Sequence, residues 1–155
     1  MAENGPQVGE KAPAFSVETT AGRLSLADLL SAGKLLLTFY SEDATPLCSS
    51  QVVAFREDYA MAEELGALLL AASADSLESH QAFVRRLGGL SFPLASDSDL
   101  SLARAYGVVD EGGKRSRRAV FVIDRDGTLL QRIDHYNPSN SSQYEDVFRA
   151  LGMDV

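Results

Sequence analysis

The sequence predicts an α/β protein in which helices flank a central mixed β-sheet. Two short, mostly apolar runs, 35–40 and 67–72, alternate with longer segments whose apolar residues recur at helical spacing. Runs of that length suit strands buried on both faces, and strands that alternate with helices form parallel sheets. A third apolar run, 119–123, is followed at 124–127 by Asp-Arg-Asp-Gly, which is typical of a hairpin turn. We therefore expect a parallel core with an antiparallel edge.

Capping signals give the boundaries of the helices. Thr45 suits an N-cap and Pro46 the first helical position, while the pair Gly88-Gly89 is typical of a helix end. This places Cys48 third in its helix, inside the first turn. In chain order, the predicted helices cover 24–30, 45–66, 77–87, 102–106 (capped by Asp97-Ser98) and 143–151, and the predicted strands or extended segments cover 35–40, 67–72, 92–94, 119–123 and 128–133.

Composition indicates a soluble globular protein. We expect a flexible tail over residues 1–8 and a single domain over 9–155, a length that suffices for a hydrophobic core. The net charge of -8, from 22 acidic and 14 basic residues, argues against nucleic acid and anionic membranes as partners, because both require a positive surface. The polar N-terminus has no signal-peptide pattern, and the longest apolar run, 67–72, is too short to span a bilayer. A cytoplasmic protein without a membrane partner is expected.

The single cysteine of the chain, Cys48, is the candidate for chemistry. Its predicted place in the first turn of a helix brings the sulfur close to the positive end of the helix dipole and to unpaired backbone N–H groups. Both favour the thiolate, which is the reactive form of cysteine. One cysteine cannot form an internal disulfide, so a reducing compartment is expected.

The segment around Cys48 has a characteristic spacing. The stretch 41–48 reads Ser-Glu-Asp-Ala-Thr-Pro-Leu-Cys, and the stretch that begins at Arg118 reads Arg-Ala-Val-Phe-Val-Ile-Asp. They resemble two motifs of the peroxiredoxins, Pro-x-x-x-Thr-x-x-Cys and Arg-x-x-Phe-x-Ile-Asp. Thr45 and Cys48 match in place, and Ser41 stands where the family has proline.

The resemblance extends from about residue 9 to residue 134, which is most of the chain. The opening at 8–15 and the passage at 37–40 are also similar to the family. The motif Thr-Pro-x-Cys is most similar to that of the bacterioferritin-comigratory branch. That branch often has a second cysteine five residues after the first, and this chain has Val53 at that position. The resemblance implies a thioredoxin-like fold and a thiol-dependent peroxidase with one active cysteine.

The resemblance also implies a role for each matched residue. Cys48 would attack one peroxide oxygen, and Arg118 would favour the thiolate and stabilise charge on the leaving oxygen. Thr45 Oγ, with the Cys48 backbone N–H, would position the two oxygens. Thr45 is in addition expected to cap its helix by accepting from the N–H of residue 48. Ser41 lacks the shielding of the family's proline and brings a hydroxyl, which predicts slower peroxide chemistry, or none.

The resemblance and the lone cysteine together define the expected partners. These are hydrogen peroxide or an organic hydroperoxide and, because no second cysteine is present, an external thiol or a reductant of thioredoxin or glutaredoxin type. A monomer or homodimer that needs no cofactor or metal is expected. His80 and His135 are not expected to join a metal-ligand cluster, and Arg115 and Arg117 are expected to be solvated residues of a basic loop.

Two other functions fit the same residues. The fold could serve as a catalytically impaired scaffold or partner-binding module, with Ser41 marking the loss of the site. Cys48 could instead act as a single-cysteine redox sensor that forms mixed disulfides readily and turns over peroxide poorly. The rate of hydrogen peroxide loss in the presence of a dithiol separates the enzyme from both.

Overall fold

The computed structural model describes residues 5–43 and 45–152. Within these residues, seven strands form one mixed sheet in the order β2-β1-β5-β4-β3-β6-β7. In chain order the elements are β1 Ser16–Thr19, β2 Gly22–Ser25, α1 Leu26–Ala32, β3 Lys34–Phe39, α2 Pro46–Glu57, α3 Tyr59–Glu64, β4 Ala67–Ser73, α4 Leu77–Leu87, β5 Leu94–Ser96, α5 Ser101–Tyr106, β6 Ala119–Ile123, β7 Leu129–Ile133 and α6 Ser141–Leu151.

Strand β3 is the centre of the sheet. It runs parallel to β4, which in turn runs parallel to β5, and it pairs antiparallel with β6. Strands β6 and β7 form the predicted antiparallel hairpin. The predicted fold class, a central mixed sheet flanked by helices, is therefore confirmed.

The apolar run of β3 is buried on both of its faces, as its lack of polar alternation predicts. Leu36 faces a core built with α2, α3, α4 and α6, and this core contains Cys48. Leu35, Leu37 and Phe39 face a second core built with α1 and α5. Because α2 starts soon after β3, its first turn lies at the end of the central strand. One side of this turn packs against the sheet.

The predicted helix 45–66 is interrupted. Helix α2 ends at Glu57, its C-cap Asp58 has φ -107° and ψ 14°, and α3 begins at Tyr59. The Asp58 carboxylate accepts from the hydroxyl of Tyr144 at 2.6 Å. This contact joins the interruption to α6, a tertiary partner that local sequence spacing does not reveal.

The N-terminal third also differs from the prediction. Residues 24 and 25 belong to β2, which pairs with β1, and the helix begins only at Leu26. Ser25 caps that helix in a reciprocal pair with Asp28, because each side chain accepts from the backbone N–H of the other. The short strands β1 and β2 have no long apolar run and were not predicted.

Three smaller boundaries shift as well. Strand β5 lies at 94–96 and not at 92–94, and α6 begins at Ser141, where the side chain of Asn140 accepts from a backbone N–H of the first turn. Asp97 does support α5, as predicted, since its carboxylate accepts from the N–H groups of Leu102 and Ala103, both at 2.9 Å. The N-cap residue itself is Leu100.

The described part of the predicted tail packs against the sheet. Residues 1–4 lie outside the described residues, but Pro6 is buried and its carbonyl accepts from Arg132 Nη1 at 2.8 Å. The N–H of Gly9 donates to the carbonyl of Leu129 in β7 at 2.9 Å. Over residues 5–43 and 45–152, no helix has the length and apolar character needed to cross a membrane.

Candidate active site

Cys48 lies in the first turn of α2, as predicted. The helix begins at Pro46, directly after the segment that leaves the central strand β3. The side chain is a free thiol and is only 1% exposed. Its sulfur therefore lies beside the N-terminus of a twelve-residue helix, where the dipole and the unpaired N–H groups favour an anion.

The sheet brings Arg118 to the same place. Residue 119 of β6 pairs with Phe39 at the end of β3, so the residue before β6 lies at the edge of the sheet from which α2 starts. Arg118 Nη1 donates to the Cys48 sulfur at 3.9 Å. The Arg118 carbonyl accepts from the N–H of Tyr136 at 2.8 Å, which fixes the backbone that carries the guanidinium.

The charge of Arg118 is not taken up by a carboxylate of the described residues. Its Nε is buried and has no hydrogen-bond partner among them. A buried polar group without a partner is uncommon and costs about 1–3 kcal/mol. The guanidinium is thus left to interact with the sulfur and with whatever enters the site beside it.

Thr45 occupies the N-cap of α2, with φ -76° and ψ 147°, but the predicted capping bond is absent. The hydroxyl instead donates to the carbonyl of Glu42 at 3.3 Å, so the prediction that it caps the helix is wrong. The first helical bond runs from the N–H of Ser49 to the Thr45 carbonyl at 2.8 Å. Because the hydroxyl proton is used by Glu42, the oxygen lone pairs of Thr45 stay available as acceptors.

Ser41 and Arg118 line one open pocket of about 390 Å³. Leu47, which is 37% exposed, and the buried Tyr136 contribute apolar walls to it. The geometry therefore brings together Cys48 and Arg118 by direct contact, and Ser41 with Arg118 in the adjoining pocket. Thr45 lies between Ser41 and Cys48 in the sequence, at the start of α2.

Arg117 is not the solvated residue that the sequence suggested. Its Nη2 donates to Asp134 at 2.9 Å and to the carbonyl of Gly107 at 3.0 Å. Asp134 also accepts from Arg132. Burial alone would raise the pKa of Asp134, but the hydrogen bonds from Arg132 and Arg117 outweigh it and lower that pKa. This network fixes the segment on either side of Arg118, whereas Arg115 is half-exposed, as expected.

The expectation that His80 joins no metal-ligand cluster stays a prediction, although the fold does place the ring beside two carboxylates. The fold places its ring within 4.8 Å of carboxylate oxygens of both Asp43 and Asp75. His80 is fully buried and bonded to Asp43, while His135 is exposed. The three residues come from different parts of the chain, so only the pairing of β4 with β3 brings them together.

Comparison with known proteins agrees with this geometry. The profile of the AhpC/TSA family matches residues 8–132. The chain is 36% identical to the putative peroxiredoxin bcp of Coxiella burnetii over 129 residues, which cover 79% of this chain and 85% of that protein.

Solved structures of peroxiredoxins superpose on the chain. The peroxidoxin BcpB of Mycobacterium tuberculosis does so with a TM-score of 0.84 at 26% identity, over 94% of this chain and 96% of that one. The bacterioferritin comigratory protein of Xanthomonas campestris has a TM-score of 0.78 at 26% identity, over 88% and 89%.

Fold and site together define a thioredoxin-like protein with a thiol at the start of a helix and an arginine beside it. The chain belongs to the AhpC/TSA family and is a peroxiredoxin. Peroxiredoxins are thiol-dependent peroxidases, and the chain is accordingly an enzyme of that class.

Proposed function

We propose that Cys48 is the nucleophile of the peroxidase reaction and that Arg118, Thr45 and Ser41 form the peroxide site around it. The observation that carries this proposal is the 3.9 Å contact between Arg118 Nη1 and the Cys48 sulfur at the N-terminus of α2. A permanent positive charge and a helix N-terminus both favour the thiolate. The same guanidinium is placed to stabilise negative charge that moves from sulfur to oxygen.

The proposed chemical step is a nucleophilic substitution at a peroxide oxygen. The Cys48 thiolate attacks one oxygen of the peroxide, the S–O bond forms, and the O–O bond breaks. The sulfur loses two electrons and becomes a sulfenate or sulfenic acid, while the second oxygen leaves and is protonated to water or an alcohol. Arg118 stabilises the leaving oxygen, and Thr45 Oγ accepts a hydrogen bond from the peroxide proton, which holds the oxygens in line with the sulfur.

An external thiol completes the cycle. The chain has no second cysteine, so the sulfenic acid condenses with a thiol from solution, which releases water and forms a mixed disulfide. A second thiol equivalent then releases reduced Cys48. We propose a small thiol or a thioredoxin- or glutaredoxin-type protein as this reductant, acting on a monomer or homodimer in the reducing cytoplasm.

Both hydrogen peroxide and organic hydroperoxides fit as substrates. The pocket beside Arg118 is about 390 Å³, and although most of its lining is polar, Leu47 and Tyr136 offer an apolar surface to an alkyl group on the leaving oxygen. The bacterioferritin comigratory protein of Xanthomonas campestris has alkyl peroxide reduction activity. We therefore propose that the chain also accepts organic hydroperoxides.

The serine at position 41, where the family has proline, supports the alternatives of an impaired scaffold or a redox sensor. The contact of Arg118 Nη1 with the Cys48 sulfur supports the peroxidase instead, and Cys48 is only 1% exposed with serine at this position. Shielding of the sulfur from water is thus retained in the absence of the proline. We therefore retain the peroxidase as the proposed function.

Steady-state consumption of hydrogen peroxide with dithiothreitol, a thioredoxin system and a glutaredoxin–glutathione system tests the proposal. Turnover with at least one reductant, absent in Cys48→Ser, is expected. Rapid formation of mixed disulfides without peroxide turnover would favour the redox sensor. Absence of both reactions would favour the scaffold.

A further inference from the structure

A hydrogen-bonded cluster lies behind the segment that joins β3 to α2, and Asp43 is its centre. The Asp43 carboxylate accepts from the hydroxyls of Tyr40 at 2.6 Å and Ser79 at 2.8 Å. Its Oδ2 also lies 2.8 Å from His80 Nδ1. The backbone N–H of Asp43 donates to the Asp75 carboxylate at 2.8 Å. A residue in the chain just before the active site is thus held from four directions.

The geometry around His80 determines the protonation of the ring. Nε2 lies 2.8 Å from the carbonyl oxygen of Ala95, which can only accept, so Nε2 carries a proton. Nδ1 faces the Asp43 carboxylate, which already accepts from two hydroxyl groups and is therefore held in its ionised form. A bond between Nδ1 and that carboxylate requires a proton on Nδ1. Protons on both ring nitrogens would make His80 and Asp43 an ion pair, and the NMR experiment below tests this.

The groups around the pair fit this assignment. Burial raises the pKa of Asp43, but the hydrogen bonds from His80 and Tyr40 outweigh it and lower that pKa. Burial and the Asp43 charge raise the pKa of Tyr40 well above its usual value, so its hydroxyl remains a donor. Asp75 is the other charged group nearby, and it lies 4.0 Å from Arg115. Arg115 also faces Glu42, so the outer carboxylates have a cation of their own.

The pair connects the active-site segment to the rest of the fold. His80 belongs to α4 and bonds to β5 through Ala95, while Asp43 stands two residues before Thr45 and five before Cys48. A buried ion pair is costly to break from one side, because the remaining charge is left without a partner. The charged contact therefore stabilises the position of the segment before α2, in addition to packing.

We propose that Asp43 is a positioning residue for the peroxidase reaction: through its ion pair with His80 it holds the first turn of α2 closed, with Cys48 buried and in line with Arg118. The proposal rests on the proposed function of Cys48. In the closed arrangement Cys48 is 1% exposed, so a small peroxide can reach the sulfur but a bulky thiol cannot. The strength of the pair then sets how often the turn opens to the reductant.

The protonation of His80 is tested first, by two-bond proton–nitrogen NMR correlations of the imidazole rings at neutral pH. The chain has two histidines, so the exposed His135 is an internal reference. We expect the pattern of an imidazolium for His80 in the unmodified protein and of a neutral ring in Asp43→Asn. A neutral ring in the unmodified protein would overturn the ion pair.

The positioning role is tested with two rates measured on Asp43→Asn. We expect oxidation of Cys48 by hydrogen peroxide to slow by roughly 10- to 100-fold, because the reacting atoms lose their alignment. We expect alkylation of Cys48 by a bulky maleimide to become several-fold faster, because the turn opens more often. Glu78→Gln, which neutralises an exposed carboxylate on the same helix as His80, is the matched control and should change neither rate.

Global destabilisation would also expose the sulfur, and its signature is different. Local opening exposes little surface, so the faster alkylation should be insensitive to low concentrations of urea, whereas alkylation through global unfolding rises steeply with urea. Steep dependence on urea, or two rates that both stay at the level of the unmodified protein, would overturn the positioning role.

A second variant covers the case in which Asp43→Asn does not fold. Ser79→Ala removes one donor to Asp43 and leaves both charges in place, so the same two changes are expected in smaller measure. Their absence in a folded Ser79→Ala would contradict the proposal. If the unmodified protein reacts with peroxide no faster than a free thiol, the proposed function fails. The positioning role is then judged by the NMR and alkylation results.

Discussion

The guanidinium Nη1 of Arg118 lies 3.9 Å from the sulfur of Cys48, although 70 residues of chain separate the two positions. The contact follows from the antiparallel pairing of β3 with β6, which places the end of one strand beside the start of the other. Because β3 also leads directly into α2, one strand pairing positions both the proposed nucleophile and the cation. The residues expected to change the reactivity of Cys48 with peroxide therefore lie at this short edge of the sheet.

Substitution of Arg118 should remove most of the reactivity toward peroxide. We expect Arg118→Met to lower the second-order rate constant for Cys48 oxidation by roughly 10²- to 10³-fold, the usual effect of losing a charged group that stabilises a developing oxyanion. Arg118→Lys keeps the charge but not the fork of donors, so its rate should lie between the two. Stopped-flow kinetics measures the rates.

The exposed Arg86 on α4 offers a matched control. Arg86→Met makes the same chemical change at an exposed position on another helix and should leave the rate constant within experimental error. An Arg118→Met rate equal to that of this control would show that the contact with Cys48 has no part in the reaction.

Variants of Thr45 separate positioning of the peroxide from support of the helix. The hydroxyl makes no capping bond, so Thr45→Ala should cost less than the ~1 kcal/mol typical of a lost N-cap. Its oxidation rate should nevertheless fall by at least about tenfold, since a hydrogen bond to the peroxide is lost. Thr45→Ser should keep most of the rate. Equal inactivity of the serine and alanine variants would exclude the hydroxyl as the active part.

Introducing proline at position 41 should increase the rate. Among the described residues no group accepts from the N–H of Ser41, so Ser41→Pro breaks no backbone hydrogen bond there. The ring would stiffen the segment before Cys48 and remove a hydroxyl from the pocket beside Arg118. We expect a several-fold faster oxidation of Cys48, and Ser41→Ala distinguishes loss of the hydroxyl from gain of the ring. An unchanged rate in Ser41→Pro would contradict the interpretation that serine slows the enzyme.

Asp134 should contribute stability that depends on pH in a defined direction. Its hydrogen bonds to Arg132 and Arg117 hold its pKa below the ordinary value of 3.8, against the opposing effect of burial. A carboxyl with a lowered pKa stabilises the folded state above its unfolded value, and this contribution is lost as pH falls through the folded value. Because the side chain is 38% exposed, we expect Asp134→Asn to lose about 1 kcal/mol or less at neutral pH.

Urea denaturation at several pH values measures this difference. The gap between Asp134→Asn and the unmodified protein should close as the pH falls below 3.8. Asp146→Asn, in which a half-exposed pair with Arg149 on α6 is lost, should show a smaller gap at every pH. A gap that widens in acid would contradict the assigned direction.

The sequence was sufficient for the features encoded in short stretches of chain. The apolar run of β3, the threonine and proline before Cys48 and the glycine after α4 each determine a local structure, and the structure has a strand, a helix start and a helix end at these places. The order of strands and helices then implies a parallel centre and an antiparallel edge.

Features that depend on contacts between distant segments were not accessible in this way. The role of Arg117 depends on Asp134, and that of His80 on Asp43 and Ala95, pairings that arise only after the sheet has formed. The contact of Asp58 with Tyr144 at the break between α2 and α3 is another pairing of distant segments. In the local sequence Ser79 and Gln81 flank His80, so neither the burial of the ring nor its partner was signalled there.

The oxidation of reduced protein by hydrogen peroxide and by an organic hydroperoxide, followed by stopped flow with intact-mass detection of the sulfenic acid, tests the central claim most directly. We expect a second-order rate constant far above that of a free thiol, one added oxygen at Cys48, and no reaction in Cys48→Ser. A rate constant equal to that of a free thiol, in protein whose thiol is fully reduced at the start, would contradict it.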